Sequence, residues 1–481
     1  MIRLLFVASE AFPLIKTGGL ADVAGSLPEV LRQQGMDVRL MLPAYAQLLQ
    51  QLQEPPQVVA ELELAGQRVR ILQCHLPGTQ LRTWLLDHPL FSAREGNPYH
   101  DAAGTAWPDN ADRFLMLSQA AAYLSTTDTA LEWRPDILHC NDWHTGPAIA
   151  LVHQQEQRPR TVFTIHNLAH MGIFDRQTFD RLGLPPHFWQ ARGLEYYGQC
   201  SFIKGGLVFA DQITTVSPTY AREICEAPGG MGLEGLLSER RDHLVGILNG
   251  IQTDVWDPAH DQHIEQRYDS NSLQHKALNK TALQRELGLE TSDVPLLGFV
   301  GRLVEQKGLE LMVPVLEELL HGAAQIVILG TGELRYEQAL SALAAKWPGR
   351  VAVVLAYNEN LAHNIEAAAD IFMMPSLFEP CGLNQLYSLR YGTLPVVREV
   401  GGLADTVTDA SEQALRAGTA TGFVFRQPEP LAFLATMQRA MALWQDKATW
   451  RSVQHTAMAQ DFSWQRSAGL YLALYRAILN R

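Results

Sequence analysis

Short apolar runs alternate along this chain with longer segments whose apolar residues recur at helical spacing. In the first half the runs predict strands over 2–9, 37–42, 135–140, 160–166, 211–216 and 244–248, with helices over 19–34, 109–124, 145–155 and 217–226. The second half keeps the rhythm more regularly, with strands over 295–301, 325–330, 351–356, 370–374, 393–397 and 422–425 and a helix between each pair. Strand–helix alternation of this kind predicts α/β architecture with parallel sheets and right-handed crossovers. Two runs, 57–74 and 82–87, lack the intervening helices and read as a meander-like insertion. The stretch 430–480 is helical in pattern and carries Trp444, Trp450 and Trp464.

At 481 residues the chain exceeds one ordinary core, so two domains of about 200 residues or more are expected. The connector is Gly246–Pro258, where Asn249-Gly250 and Asp257-Pro258 break the pattern. The expected division is 1–245 and 246–455, with 456–481 as a terminal helix crossing back to the first domain. Lys and Arg number 38 against 51 Asp and Glu, a net charge of −13, which disfavours nucleic acid as a partner. Five scattered cysteines fit reduced thiols and a cytoplasmic location, and no apolar run is long enough to cross a membrane. Met1 leads straight into strand residues, without a signal-type apolar region.

Candidate chemistry collects where strands end. Lys16-Thr17-Gly18-Gly19-Leu20-Ala21-Asp22 follows the first strand. A glycine pair there suggests a sharp turn with bare N–H groups at a helix N-terminus, and Lys16 adds a cation, so the motif reads as a phosphate cradle. Gly-Gly-Leu-Ala-Asp recurs at Gly401–Asp405, again after a strand, as if two similar units were present. Neither copy has the spacing of a dinucleotide fingerprint or a P-loop. After the strand at 295–301, Gly301-Arg302-Leu303 and Gln306-Lys307-Gly308 place two cations at a parallel-sheet edge, suited to a diphosphate. Phe378-Glu379-Pro380-Cys381-Gly382-Leu383 opens a helix at the same edge, where Glu379 could accept sugar hydroxyls and the amides of Gly382 and Leu383 lie exposed. His139-Cys140-Asn141-Asp142-Trp143-His144 is dense in potential ligands but lacks zinc-site spacing, so Asp142 reads as a polar contact and no metal is expected. His166, closing the strand at 160–166, joins that rim. Tyr357 could stack on a planar base, and Tyr99 and His100, in the suspected insertion, could touch a long acceptor.

Taken in order, these motifs, with Thr164-Ile165-His166-Asn167 and Asn249-Gly250, resemble the bacterial glycogen synthase family, kin of plant starch synthases. The resemblance runs from residue 1 to Asp461-Phe462-Ser463-Trp464. It implies two Rossmann-like domains facing across a cleft, the type B glycosyltransferase architecture. It also implies transfer of glucose from ADP-glucose to the non-reducing 4-hydroxyl of an α-1,4-glucan, with retention and release of ADP. By the same resemblance Lys16, with Gly18 and Gly19, belongs to the nucleotide-sugar site together with Asn249, Tyr357, Cys381, Gly382 and Leu383. Arg302 and Lys307 hold the diphosphate, Glu379 is the catalytic-site carboxylate, and His166 and Asp142 lie beside the transferred glucose. No cofactor is implied. Many retaining relatives carry a second glutamate where this chain has Tyr387, so Glu379 is expected to act alone. A glucan-binding scaffold without turnover, or the same transfer from UDP-glucose, are the alternatives.

Overall fold

In the first unit, Met1–Gly250 with Trp464–Arg481, the apolar runs become one long sheet. Its members are β1 (Arg3–Val7), β2 (Asp37–Pro43), β3 (Gln57–Leu64), β4 (Gln67–His75), β5 (Arg82–Asp87), β6 (Ile137–Asn141) and β7 (Arg160–Ile165). A separate three-stranded sheet of β8 (Ile173–Phe174), β9 (Glu195–Tyr196) and β10 (Gln199–Ser201) follows in the chain, before β11 (Gln212–Thr215) and β12 (Leu244–Gly246) rejoin the large one. The order is β12-β11-β7-β6-β1-β2-β5-β4-β3, with every pairing from β12 to β5 parallel. The computed structural model describes residues 1–94, 96–101, 104–125 and 131–480.

The segment read as an insertion is instead part of this sheet. β5 pairs in parallel with β2, and the β3–β4 hairpin extends the edge in antiparallel pairing. Burial tells the two apart. Thr83 to Leu86 of β5 are buried without a break, as a strand covered on both faces must be, whereas the second half of β3 alternates buried and exposed.

The second unit, Ile251–Ser463, holds a wholly parallel sheet of β13 (Leu296–Val300), β14 (Gln325–Leu329), β15 (Val351–Val354), β16 (Ile371–Met374), β17 (Leu394–Arg398) and β18 (Phe423–Phe425). Its order is β15-β14-β13-β16-β17-β18. The division therefore falls after Gly250 and after Ser463 rather than at 245 and 455, and the helix Lys447–Met458 stays in the second unit.

Only the helix Trp464–Leu479 returns to the first unit. Trp464, Ala468, Tyr471, Tyr475 and Ile478 enter that unit's core. Ser467 Oγ donates to Leu248 O at 2.7 Å, and Tyr475 Oη pairs with His139 Nδ1 at 2.6 Å. His139 Nε2 meets Thr164 Oγ1 at 2.6 Å, so this histidine is a fully buried clasp between sheet and terminal helix, held neutral because burial pushes its pKa down to about 3.

Candidate active site

The carboxyl edge of the first sheet gathers residues from the ends of β1, β6, β7 and β12. β6 delivers Asp142 in a left-handed conformation, φ +55°, which an L residue adopts only when its surroundings compel it. The constraint is visible. Asp142 N donates to Thr164 O at 2.9 Å, and Asp142 Oδ1 accepts from His166 N at 2.7 Å, so the ends of β6 and β7 are sewn together. Burial pushes the Asp142 carboxyl up to about 7, against the pull of backbone N–H groups at His166 and Asn167 and with a small push from Glu10.

His166 is buried and neutral, its pKa lowered to about 3 by desolvation. Asn141 Nδ2 donates to Val7 O, leaving Asn141 Oδ1 as the acceptor for His166 Nε2–H at 2.9 Å. That assigns the proton to Nε2 and leaves His166 Nδ1 as an acceptor, buried and without a hydrogen bond among the described residues. Asn249 Oδ1, after β12, is a second acceptor of this kind. Buried acceptors are ordinarily satisfied, so this edge is suited to a ligand rich in hydroxyl donors.

Beneath the Lys16–Asp22 motif lies Glu10, 3% exposed, which sequence reading passed over. Its Oε2 accepts from Thr17 N at 2.5 Å and Thr17 Oγ1 at 2.7 Å. Burial pushes its carboxyl up to about 7 despite those bonds. The signal was the single charged residue in a largely apolar stretch from Leu4 to Ile15. Lys16 Nζ pairs with Asp22 Oδ1 at 2.8 Å.

Gly18 is extended, φ −158°, and caps the helix Gly19–Gln33; neither it nor Gly19 has a left-handed backbone, so the predicted sharp turn is not why they are glycines. A Cβ on Gly19 would meet nothing within 4 Å, and one on Gly18 only Glu10 Oε1 at 3.9 Å. The protein's own packing does not demand glycine here, whereas close approach of a ligand to the helix N-terminus would. Tyr99 is turned inward, its hydroxyl 2.7 Å from Ser9 Oγ and its ring stacked on His144 at 4.8 Å, while His100 points outward.

The carboxyl edge of the second sheet carries the other motifs. Gly308, φ +72°, lets its chain pass so close to Pro375 that a Cβ would lie 1.9 Å from that carbonyl oxygen. Leu377 N donates to Gln306 O at 2.9 Å, closing the loop after β13 onto the loop after β16. This brings Lys307 Nζ to 2.6 Å from Glu379 Oε2, which also accepts from Ser376 Oγ at 2.9 Å. Glu379 is 6% exposed, and its Oε1 makes no hydrogen bond among the described residues. Arg302 is exposed, and its guanidinium makes no hydrogen bond or ion pair among the described residues. Tyr357 is 78% exposed, so its ring serves no core. Cys381 is buried; Gly382, φ +73°, lies against Gln385, whose Nε2 donates to Cys381 O and Gly382 O at 2.9 and 3.0 Å. Leu383 caps the helix Asn384–Tyr391.

The repeated Gly-Gly-Leu-Ala-Asp does a different job here, contrary to the expected symmetry. A Cβ on Gly401 would sit 2.0 Å from Glu379 O, and one on Gly402 would sit 2.0 Å from Cys381 O. These glycines bring the helix Gly401–Thr406 against the Glu379 loop, and Gly402 N donates to Glu379 O at 3.1 Å. Gly402→Ala is expected to destabilise the protein by more than about 2 kcal/mol, since the clash is with backbone; Gly19→Ala should leave the melting temperature in place. Calorimetry of the two variants checks the contrast.

The raised carboxyl of Asp142 carries a pH signature. A folded pKa of about 7, raised from the ordinary aspartate value, means stability is fully present at low pH and is lost as pH rises towards and through 7. Asn keeps the acceptor and tolerates positive φ but does not ionise. The melting temperature of Asp142→Asn relative to the parent is therefore expected to climb between pH 5 and 8, read by thermal scans in matched buffers; a constant difference would contradict the assignment.

Among the described residues no group of three or more His, Cys, Asp or Glu side chains is arranged for a metal ion, and no helix is long and apolar enough to cross a membrane. Residues 3–239 match the family described as starch synthase catalytic domain, and residues 281–452 match glycosyl transferases group 1. Glycogen synthase 1 of Methylococcus capsulatus is 50% identical over 479 residues, covering 99% of this chain and 97% of that protein. The glycogen synthase of Cellvibrio japonicus is 51% identical, covering 99% of each. The catalytic domain of starch synthase IV from Arabidopsis thaliana, solved bound to ADP and acarbose, superimposes with a TM-score of 0.88 at 30% identity over 100% of both chains. A sucrose-phosphate synthase from Thermosynechococcus elongatus, 17% identical with a TM-score of 0.61, shares the fold. Identity of this extent, with both Rossmann-like units in place, makes the chain a member of the glycogen synthase family and a glycosyltransferase of the type B architecture.

Proposed function

We propose that the protein transfers glucose from ADP-glucose to the non-reducing 4-hydroxyl of an α-1,4-glucan, retaining the anomeric configuration and releasing ADP. The observation that carries the reading is the buried Glu379, clamped by Lys307 at 2.6 Å, with the exposed Arg302 on the same sheet edge. ADP on the starch synthase relative supports the choice of nucleotide.

In this reading the bond from the anomeric carbon to the diphosphate breaks, the bond to the acceptor oxygen forms on the same face, and the hydroxyl proton passes to the departing diphosphate. The difficult event is the charge that grows on the leaving group. In this reading Arg302 and Lys307, and Lys16 with the Gly19 amide, are the donors for that charge, each such donor contributing about 3–4 kcal/mol. His166 Nδ1 and Asn249 Oδ1 accept hydroxyls of the transferred sugar, and Glu379 Oε1 faces the positive character of its reacting carbon. Gly382 and Leu383 offer amides, Tyr357 stacks on the base, and Tyr99 supports the acceptor edge from below. Side-chain cations fill the place a metal would take, and the reading places the protein in the cytoplasm.

Labelled glucose incorporation into glycogen from ADP-glucose and UDP-glucose, side by side and with chelator present, tests this. Transfer from ADP-glucose alone, with an α-linked product by NMR, is the expected result. Transfer only from UDP-glucose would overturn the donor, and glucan binding without transfer from either would leave a scaffold.

A further inference from the structure

We propose that Tyr197 is an aromatic platform on which a glucosyl unit of the acceptor chain stacks, away from the reacting end; this rests on the glucan-acceptor reading above. Tyr197 is 78% exposed yet held at φ +46°, a conformation that costs a residue with a large side chain about 1 kcal/mol or more. Glycine or asparagine would take this backbone conformation at lower cost. The conformation is built, not incidental. Tyr196 packs edge-on against the Tyr197 ring, centroids 4.8 Å apart at 89°, and is itself anchored by its hydroxyl to Met231 O at 2.6 Å. Gly232 supports the pair from the other loop, where a Cβ would fall 2.9 Å from Tyr196 Oη and 3.1 Å from Tyr197 Cε2.

The surroundings suit a neutral polyhydroxyl ligand. Glu195 Oε1 accepts from Gly198 N at 2.7 Å and Glu234 Oε2 accepts from Gly232 N at 2.8 Å. Each carboxylate keeps a second oxygen without a hydrogen bond among the described residues, able to accept sugar hydroxyls beside the ring. An aromatic face flanked by fixed acceptors can stack on the C–H face of a pyranose and hold its edge. Placement agrees. β9, which ends at Tyr196, pairs with β10, and β10 pairs with β8, whose Phe174 lies 6.0 Å from Trp143, the neighbour of Asp142. With strands about 4.8 Å apart, β9 lies about 10 Å beyond β8. That offset favours a chain several units long over a short one.

Tyr197→Asn is the informative variant, because asparagine accepts the backbone conformation and removes only the ring. Its melting temperature should equal or exceed the parent's. Binding of maltoheptaose without donor, by calorimetry, should weaken about five- to tenfold, and the KM for glycogen should rise similarly, the loss expected of one aromatic contact. The KM for ADP-glucose should stay within about twofold, and Tyr197→Trp should restore glucan binding. Unchanged maltoheptaose binding in Tyr197→Asn overturns the proposal. So does a loss that extends equally to ADP-glucose or comes with a lowered melting temperature, which would make Tyr197 structural. If the parent transfers no glucose at all, the functional reading fails, while the binding arm still decides whether Tyr197 holds a glucan.

Discussion

Glu379→Ala is expected to lower kcat for glucosyl transfer by about 10²- to 10³-fold, the loss typical of one preorganised electrostatic partner. Both hydrogen bonds at this carboxylate, from Lys307 Nζ and Ser376 Oγ, use Oε2. Oε1 is thus the oxygen left without a hydrogen bond among the described residues, and the two bonds to Oε2 hold the carboxylate in place. In the proposed reaction, positive character at the anomeric carbon would meet a negative charge that needs no rearrangement. The KM for either substrate should change far less than kcat. Glu379→Gln distinguishes charge from shape: it retains an acceptor oxygen but not the charge, so a similar fall in kcat is expected. A fall of less than about tenfold in both variants would remove Glu379 from the reacting centre. Part of the alanine effect comes through Lys307, which loses its partner, so steady-state kinetics must be read beside the melting temperature.

Arg302→Ala is expected to lower kcat/KM for ADP-glucose by about 10²-fold while leaving stability within about 0.5 kcal/mol. The separation follows from its surroundings. Its guanidinium is exposed and makes no hydrogen bond or ion pair among the described residues, so the fold loses nothing with it. Lys307 and Lys16 are less clean probes, since each already holds a carboxylate, Glu379 and Asp22 respectively. Arg302→Lys should recover only part of the activity, because an ammonium is a point charge and cannot grip two phosphate oxygens as a planar fork does. Full recovery in Arg302→Lys would show that charge alone is used, and unchanged kinetics in Arg302→Ala would take the residue out of the donor site.

Much of this was legible in the residues because it is local. Strand ends at Asn141, Ile165, Val300 and Met374 lie within a few positions of where the apolar runs stop, and the rim residues follow those ends directly. Asp142, His166, Arg302 and Glu379 could thus be placed on sheet edges before any tertiary information. Long-range pairing was not legible. The run 82–87 reads as an insertion because its partner β2 lies far back in the chain, and pairing is not encoded in the run itself. His139 stood among apparent ligands, yet it clasps Tyr475, a contact across 336 positions.

By itself the sequence determined the two α/β halves, the carboxyl edges that carry the candidate site residues, and the family, since periodicity and motif order are properties of neighbouring residues. Tertiary structure decided what each motif faces. Gly18-Gly19 and Gly401-Gly402 open the same five-residue string, but the first pair has open space beside it, whereas a Cβ added to either residue of the second would fall 2.0 Å from the Glu379 or Cys381 carbonyl oxygen. Lys307 became the partner of Glu379 only because two loops 72 positions apart close on each other, and Glu10 acquired a carboxyl near pH 7 only because folding took it out of water. Packing distance and desolvation belong to the assembled fold, so no local pattern could carry them.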